Sequence, residues 1–197
     1  DVESGEVPAW FEQGSTAASF QSVDDKILRS EYVEAGGYYA VSLVSTSGKE
    51  VWNRDFDSIQ VARLGSETKL FEREGGAEGF ESLTLIDPKN GKSAWDSSWD
   101  RTFSSVGVMP GYALVMSESR VTVLELDTGE EVASLRGTLA GVGKKVIYTS
   151  DNARITAWST DGEELWDERI REGMSIASLP GRFILVDRDR QQLLRWK

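Results

Sequence analysis

The chain has 197 residues, a net charge of −11 at neutral pH, nineteen Gly, seven Trp, no Cys and no His. Lacking both Cys and His, it has no disulfide, no thiolate nucleophile, no Cys- or His-ligated metal, and neither Ser-His-Asp nor Cys-His catalysis. The acidic balance opposes phosphate neutralisation, which excludes nucleic acid and anionic membrane surfaces as partners, and no stretch approaches the roughly 18 apolar residues that cross a bilayer.

The length suits one or two domains, and no helix-period segment of useful length occurs. Asp1 rather than Met opens the chain, as expected of a mature or excised form with a signal peptide or anchor upstream. The first segment, Ser4-Gly5-Glu6-Val7-Pro8-Ala9-Trp10, combines a Gly turn signal with a strand that carries Trp10. Four strands follow at 19–23, 27–33, 38–44 and 50–56, then Ser47-Gly48-Lys49-Glu50-Val51-Trp52 marks the last turn of that group. A second group reads 59–64, 69–72, 81–86 and 93–99, with its turn at Asn90-Gly91-Lys92-Ser93-Ala94-Trp95.

The third group reads 103–108, 112–116, 121–126 and 131–135, and its turn, Thr128-Gly129-Glu130-Glu131-Val132-Ala133, has Ala in the Trp slot. The fourth reads 139–143, 146–149, 155–158 and 164–166, around Asp161-Gly162-Glu163-Glu164-Leu165-Trp166. A last group reads 174–179, 183–186 and 193–196, ends on Trp196, and has no fourth strand.

The Trp-slot positions 10, 52, 95, 133 and 166 lie 42, 43, 38 and 33 residues apart. A period near forty with four strands per period is the signature of a β-propeller. Gly, Asn and Asp recur at the turns because tight hairpins need positive φ. A large aromatic just after the turn, on the outermost strand, can wedge against the neighbouring sheet. Trp10, Trp52, Trp95, Trp166 and Trp196 are therefore read as structural spacers between blades.

The predicted architecture is an all-β, five-bladed β-propeller in one domain, closed by the N-terminal strand pairing with the C-terminal blade. Its blades are approximately 19–56, 57–99, 102–136, 138–170, and 173–197 plus 5–12. Closure removes an exposed sheet edge, and Pro8 is tolerable on an outermost strand. The rival is that the chain is part of a larger ring.

Leu85-Ile86-Asp87-Pro88-Lys89-Asn90-Gly91-Lys92-Ser93-Ala94-Trp95 and Leu124-Glu125-Leu126-Asp127-Thr128-Gly129-Glu130-Glu131-Val132 resemble the repeat of the PQQ-like (quinoprotein-like) propellers. Ile155-Thr156-Ala157-Trp158 leading into Asp161–Trp166 is similar. That resemblance implies an extracytoplasmic location. The family contains quinone-dependent dehydrogenases and non-enzymatic scaffolds, among them the outer-membrane assembly lipoprotein. Adjacent cysteines and a calcium-ligating Asn and Glu cluster, which the enzymes use, are missing from this sequence, so no cofactor and no metal is expected.

Other motifs fail on context. Gly91-Lys92-Ser93 ends like a phosphate-binding loop, but Ile86 replaces the leading Gly and no helix follows. Ser159–Trp166 approaches a sialidase Asp-box with its Gly one position early, and Gly75-Gly76-Ala77-Glu78-Gly79 reads as a hairpin tip. The basic run Arg182, Arg188, Arg190, Arg195 and Lys197 is interleaved with Asp187 and Asp189.

The expected function is a non-catalytic extracytoplasmic scaffold that binds a protein or glycan partner at one rim. Tyr38, Tyr39, Trp99, Arg101 and Tyr112 are the candidate anchors, since aromatic and Arg side chains dominate interface energetics. The alternative is a glycoside hydrolase using carboxylates among Asp24, Asp25, Glu67, Asp100 and Glu172, assigned to the ends of innermost strands. A quinone-dependent dehydrogenase fragment is a further alternative.

Overall fold

A computed structural model describes residues 18–76, 78–151, 154–170, 174–179, 182–187 and 192–195. Alternating apolar positions and β-branched residues between Gly turns give nineteen strands among these residues, all in antiparallel up-and-down sheets. Two compact units, 1–100 and 101–197, are recognised.

In the first unit, one sheet orders β1 (Ala18–Val23), β2 (Lys26–Val33), β3 (Tyr38–Ser45) and β4 (Glu50–Phe56). The second orders β5 (Ile59–Leu64), β6 (Glu67–Gly76), β7 (Gly79–Ile86) and β8 (Ser93–Phe103). Val23, Leu28, Val41, Leu43, Trp52 and Phe56 of the first sheet pack against Leu70 and Ile86 of the second, with Ile59 and Val61 at the margin.

The residues of this cluster share one face of each strand that carries them, which defines what continues that face beyond the cluster. The sheets are aligned end to end as well. Asp24, in the β1–β2 turn, accepts a hydrogen bond from the Thr68 amide at 3.2 Å, next to the β5–β6 turn. The two first-hairpin ends therefore lie together, and so do the two second-hairpin ends. Asp24 reaches this position with φ of 52°, a left-handed conformation that Asp tolerates better than most residues.

Trp52 joins these sheets on the first-hairpin side. Its Nε1–H donates to the Pro88 carbonyl at 3.0 Å, and a Cβ on Gly91 would lie 2.8 Å from the indole. Gly91, at φ 70°, is required both by the turn and by the ring lying on it.

The second unit holds a sheet of β9 (Ser105–Met109), β10 (Tyr112–Met116), β11 (Arg120–Glu125) and β12 (Glu131–Arg136). Next is a sheet of β13 (Thr138–Val142), β14 (Val146–Asp151), β15 (Arg154–Ser159) and β16 (Glu164–Arg169). A three-stranded sheet of β17 (Met174–Leu179), β18 (Arg182–Asp187) and β19 (Gln192–Arg195) completes it. Met109, Leu114, Val121, Val123 and Leu135 pack with Ile147 of the adjoining sheet. The turn of that sheet approaches closely here, since a Cβ on Gly162 would lie 2.8 Å from the Ala133 Cβ.

The Gly-to-Trp spacing has a structural cause. The third and fourth strands pair Leu43 with Trp52 but Val44 with Glu50, Val123 with Ala133 but Leu124 with Glu131, and Ala157 with Trp166 but Trp158 with Glu164. In each case one extra residue bulges from the outermost strand: Val51, Val132 or Leu165. All three are exposed. A bulge adds local twist and re-aims the next side chain, here the residue in the Trp slot.

Several strand limits differ from the sequence reading. β6 runs to Gly76 rather than ending at 72, and β16 continues to Arg169. Phe103 closes β8 instead of opening the next strand. Ser104 interrupts the chain between them and donates its amide to the Met116 carbonyl at 2.8 Å. The predicted closing strand at 5–12, with Trp10, and Trp196 lie outside the described residues.

Candidate functional site

On the first sheet, Tyr32, Tyr39 and Phe56 form one cross-strand row. Tyr39 shares the face of Val41 and Leu43, and Tyr32 that of Leu28, so the row continues the core-forming face towards the β2–β3 turn. Phe56 is buried, whereas Tyr39 and Tyr32 are 37% and 48% exposed. The two tyrosine rings pack 5.2 Å apart with their planes at 55°. Tyr38 is half-buried on the opposite face, its ring folded over Gly36.

The second sheet answers with charge. Glu72 stands two residues beyond the core residue Leu70 on the same face of β6, opposite Ile59 and Thr84. Glu74 follows on that face and accepts from the Ser82 hydroxyl at 3.2 Å. Glu72 is only 9% exposed. Burial raises its pKa above the ordinary glutamate value; repulsion from Glu74 and Asp57 adds to this, and Arg54 opposes it. Arg54 is itself engaged, donating to the Gly91 carbonyl and lying over the Phe56 ring.

Arg73 projects from the other face of β6 and is held firmly. It donates to Gln60 Oε1 at 3.1 Å and Ser58 Oγ at 2.8 Å, with its guanidinium 4.2 Å from the centroid of the Phe80 ring. Burial lowers its pKa, and the nearby Tyr39 phenol partly opposes this. The group remains a cation at any physiological pH.

The five residues expected from sequence do not form one group. Tyr38 and Tyr39 begin β3 at the second-hairpin end of the first sheet. Trp99 and Arg101 lie on β8, the outermost strand of the second sheet, in the half that runs towards its second-hairpin end. Tyr112 begins β10, at the first-hairpin end of its own sheet, and packs beside the Met109 and Leu114 core. Sequence reading missed Tyr32, Glu72, Arg73 and Phe80. The signal for Tyr32 was its place directly across a tight turn from Tyr39.

Of the carboxylates named for glycoside hydrolysis, Asp24, Asp25 and Glu67 stand beside the ends of the first strands β1 and β5, as the sequence assigns, and Asp100 does not. Asp24 and Asp25 lie in the β1–β2 turn; Asp24 caps Thr68, and Asp25 bonds Lys26, which lowers its pKa. A general acid needs a shift in the opposite direction. Glu67 pairs with Lys69 at 3.3 Å. Asp100 is on outermost β8, not at the end of an innermost strand. Glu172 lies outside the described residues. A shallow groove of about 360 Å³ runs past Asp24, Glu67 and Lys69 over Leu85 and Pro88. Among the described residues no group of three or more Asp or Glu is placed to hold a metal ion.

A family model described as outer membrane protein assembly factor BamB matches residues 79–196. No curated protein matches the sequence. Among solved structures, BamB from Moraxella catarrhalis is 13% identical, with a TM-score of 0.56 over 89% of this chain and 62% of that one. The WD40 domain of Neurospora crassa Pan2 is 12% identical, with a TM-score of 0.52 over 91% and 64%. Kluyveromyces lactis Hsv2 is 9% identical, with a TM-score of 0.58 over 89% and 61%. The chain thus spans about three fifths of the structures it matches, and at these identities the likeness establishes a β-propeller fold. With the family model covering more than half of its length, the chain belongs to the PQQ-like β-propeller repeat family, the family of outer membrane protein assembly factor BamB.

Proposed function

We propose that the chain is a non-catalytic extracytoplasmic scaffold that holds a protein partner at one rim, at the second-hairpin end of its first two sheets. The observation that carries this reading is the exposed Tyr32–Tyr39 pair, with ring centroids 5.2 Å apart. Arg73, clamped over Phe80, stands in the neighbouring sheet. Tyr and Arg are the side chains that most often anchor interfaces. These are already held by strand pairing and hydrogen bonds, which reduces the ordering cost of association. Trp99 and Arg101 extend the same end of the second sheet, whereas Tyr112 falls outside the proposed face.

The family description as an outer membrane protein assembly factor supports both a role exercised through protein contacts and a location outside the cytoplasm. Photo-crosslinking from position 32 in native envelopes, with Tyr32 replaced by p-benzoylphenylalanine, tests the reading. A discrete protein adduct that disappears on Tyr39→Ala supports it. Absence of any adduct, together with retention on a glycan array, turns the site over to a glycan.

The five-bladed closure belongs to the same proposal. The chain lacks Cys, so Val7→Cys with Leu194→Cys forms a disulfide only if the two ends pair. Failure to crosslink under mild oxidation favours a larger ring.

A further inference from the structure

Tyr32 and Tyr39 are partners in register across β2 and β3, one pair before the ladder ends at Val33 and Tyr38. Their side chains leave the sheet on the same face, where the rings lie 5.2 Å apart and inclined by 55°. The turn beyond them is closed by the Gly36 and Gly37 amides, which donate to the Val33 carbonyl at 3.1 and 2.8 Å, so the backbone holds the two phenols side by side. Both rings are exposed, at 48% and 37%. The other three tyrosines of the chain are placed differently. Tyr38 is folded over Gly36 on the opposite face, Tyr112 packs beside the Met109 and Leu114 core, and Tyr148 packs against Trp166. Phe56, which completes the row beside Tyr39, has no phenol.

Two phenols held ring to ring at a surface have a chemistry that a single phenol lacks. We propose that Tyr32 and Tyr39 form an oxidative cross-linking site, at which a peroxide activated by a haem peroxidase joins the two rings into dityrosine. Each phenol gives up one electron and its hydroxyl proton. The two radicals couple through a new C–C bond between ring carbons ortho to the oxygens, a Cε of Tyr32 and a Cε of Tyr39, and the proton on each of those carbons then moves to its phenol oxygen. Two C–H bonds are thereby replaced by one C–C bond. The peroxide accepts the two electrons and two protons, its O–O bond breaks, and it leaves as two waters. Strand pairing supplies the second ring at contact distance, which turns an encounter between two radicals into a step within one hairpin. The chain has no Cys, so no disulfide can staple this hairpin, whereas the Tyr32–Tyr39 bond would close β2 to β3 covalently around the 33–38 turn. The inference goes beyond the docking role of the same rings and does not depend on it.

The test treats the dilute full chain with hydrogen peroxide and a haem peroxidase. The expected product is a monomer with dityrosine fluorescence and an intact mass lower by two hydrogens. Proteolysis after Glu34 separates Tyr32 from Tyr39 in the untreated chain; in the product the two fragments should stay joined. Tyr32→Phe and Tyr39→Phe, which keep the ring and remove the phenol, should each abolish the joined fragments with an unchanged circular dichroism spectrum, whereas Tyr38→Phe should keep them. Fragments that separate after oxidation, a joined product that persists in Tyr39→Phe, or a link that runs through Tyr38 or only between chains overturns the assignment.

Discussion

The Trp52 indole donates to the Pro88 carbonyl at 3.0 Å while its ring lies on Gly91, so one side chain ties the outermost strand of the first sheet to the last turn of the second. Burial of a large ring supplies the apolar part of that joint and the hydrogen bond satisfies the indole N–H. Bare backbone at Gly91 makes the approach feasible.

Substituting that glycine should therefore be costly. Gly91→Ala forces a methyl to within 2.8 Å of the Trp52 ring at φ 70°, with an expected loss of about 3 kcal/mol in urea unfolding. Gly65→Ala is the control, at φ 61° with nothing near the added methyl, and should lose only about 1 kcal/mol. Equal losses would show that the indole contact contributes nothing beyond the turn.

Restoring tryptophan to the third repeat should destabilise the protein. The Gly162 turn already sits against Ala133, leaving no room for an indole, so Ala133→Trp is expected to cost about 1–3 kcal/mol through overpacking. A melting temperature at or above that of the parent chain would refute this.

Glu72→Gln should stabilise the chain at neutral pH. The native-state pKa of Glu72 is raised from the ordinary value of 4.5. Between that value and the native one, the folded state therefore binds more protons than the unfolded state. Stability consequently falls as pH rises through this window and stays reduced above it. The substitution removes that part of the pH dependence, which denaturant titrations from pH 4 to 8 will register as a flatter stability profile. An unchanged profile would mean that Glu72 is not held as described.

Asp24 combines a left-handed backbone with a hydrogen bond to the Thr68 amide. Asp24→Ala loses both and should cost about 2 kcal/mol. Asp24→Gly keeps the backbone conformation accessible and should cost about half as much, and Asp24→Asn should be near neutral. Thermal melts of the three variants give the order directly.

Much of the architecture was legible because hairpin chemistry is local. Gly48, Gly91, Gly129 and Gly162 all have φ between 70° and 88°, as the Ser-Gly, Asn-Gly, Thr-Gly and Asp-Gly turns predict, and strand alternation located four complete sheets. The bulge was also written in the sequence, as adjacent apolar residues in Val51-Trp52 and Leu165-Trp166, where strict alternation allows one. The misplaced strand boundary at Phe103 has a different origin: Phe103 is a good strand residue in either direction, and the break was decided by the Ser104 amide finding Met116.

The site was far less visible. Tyr38 and Tyr39 are neighbours in sequence, yet they point to opposite faces of β3, and only Tyr39 joins the row with Tyr32. Glu72 looked like the polar end of a short strand; its burial follows from the packing of Leu70 and Ile86 on the first sheet.

What the amino-acid order determined by itself was the turn chemistry, the strand period and the family, because those depend on contacts within a few residues of each other. The burial of Glu72 depended on the meeting of two sheets, and the Tyr32–Tyr39–Phe56 row on the pairing of three strands. Residues about forty positions apart come into register there, and desolvation depends on everything packed around a group.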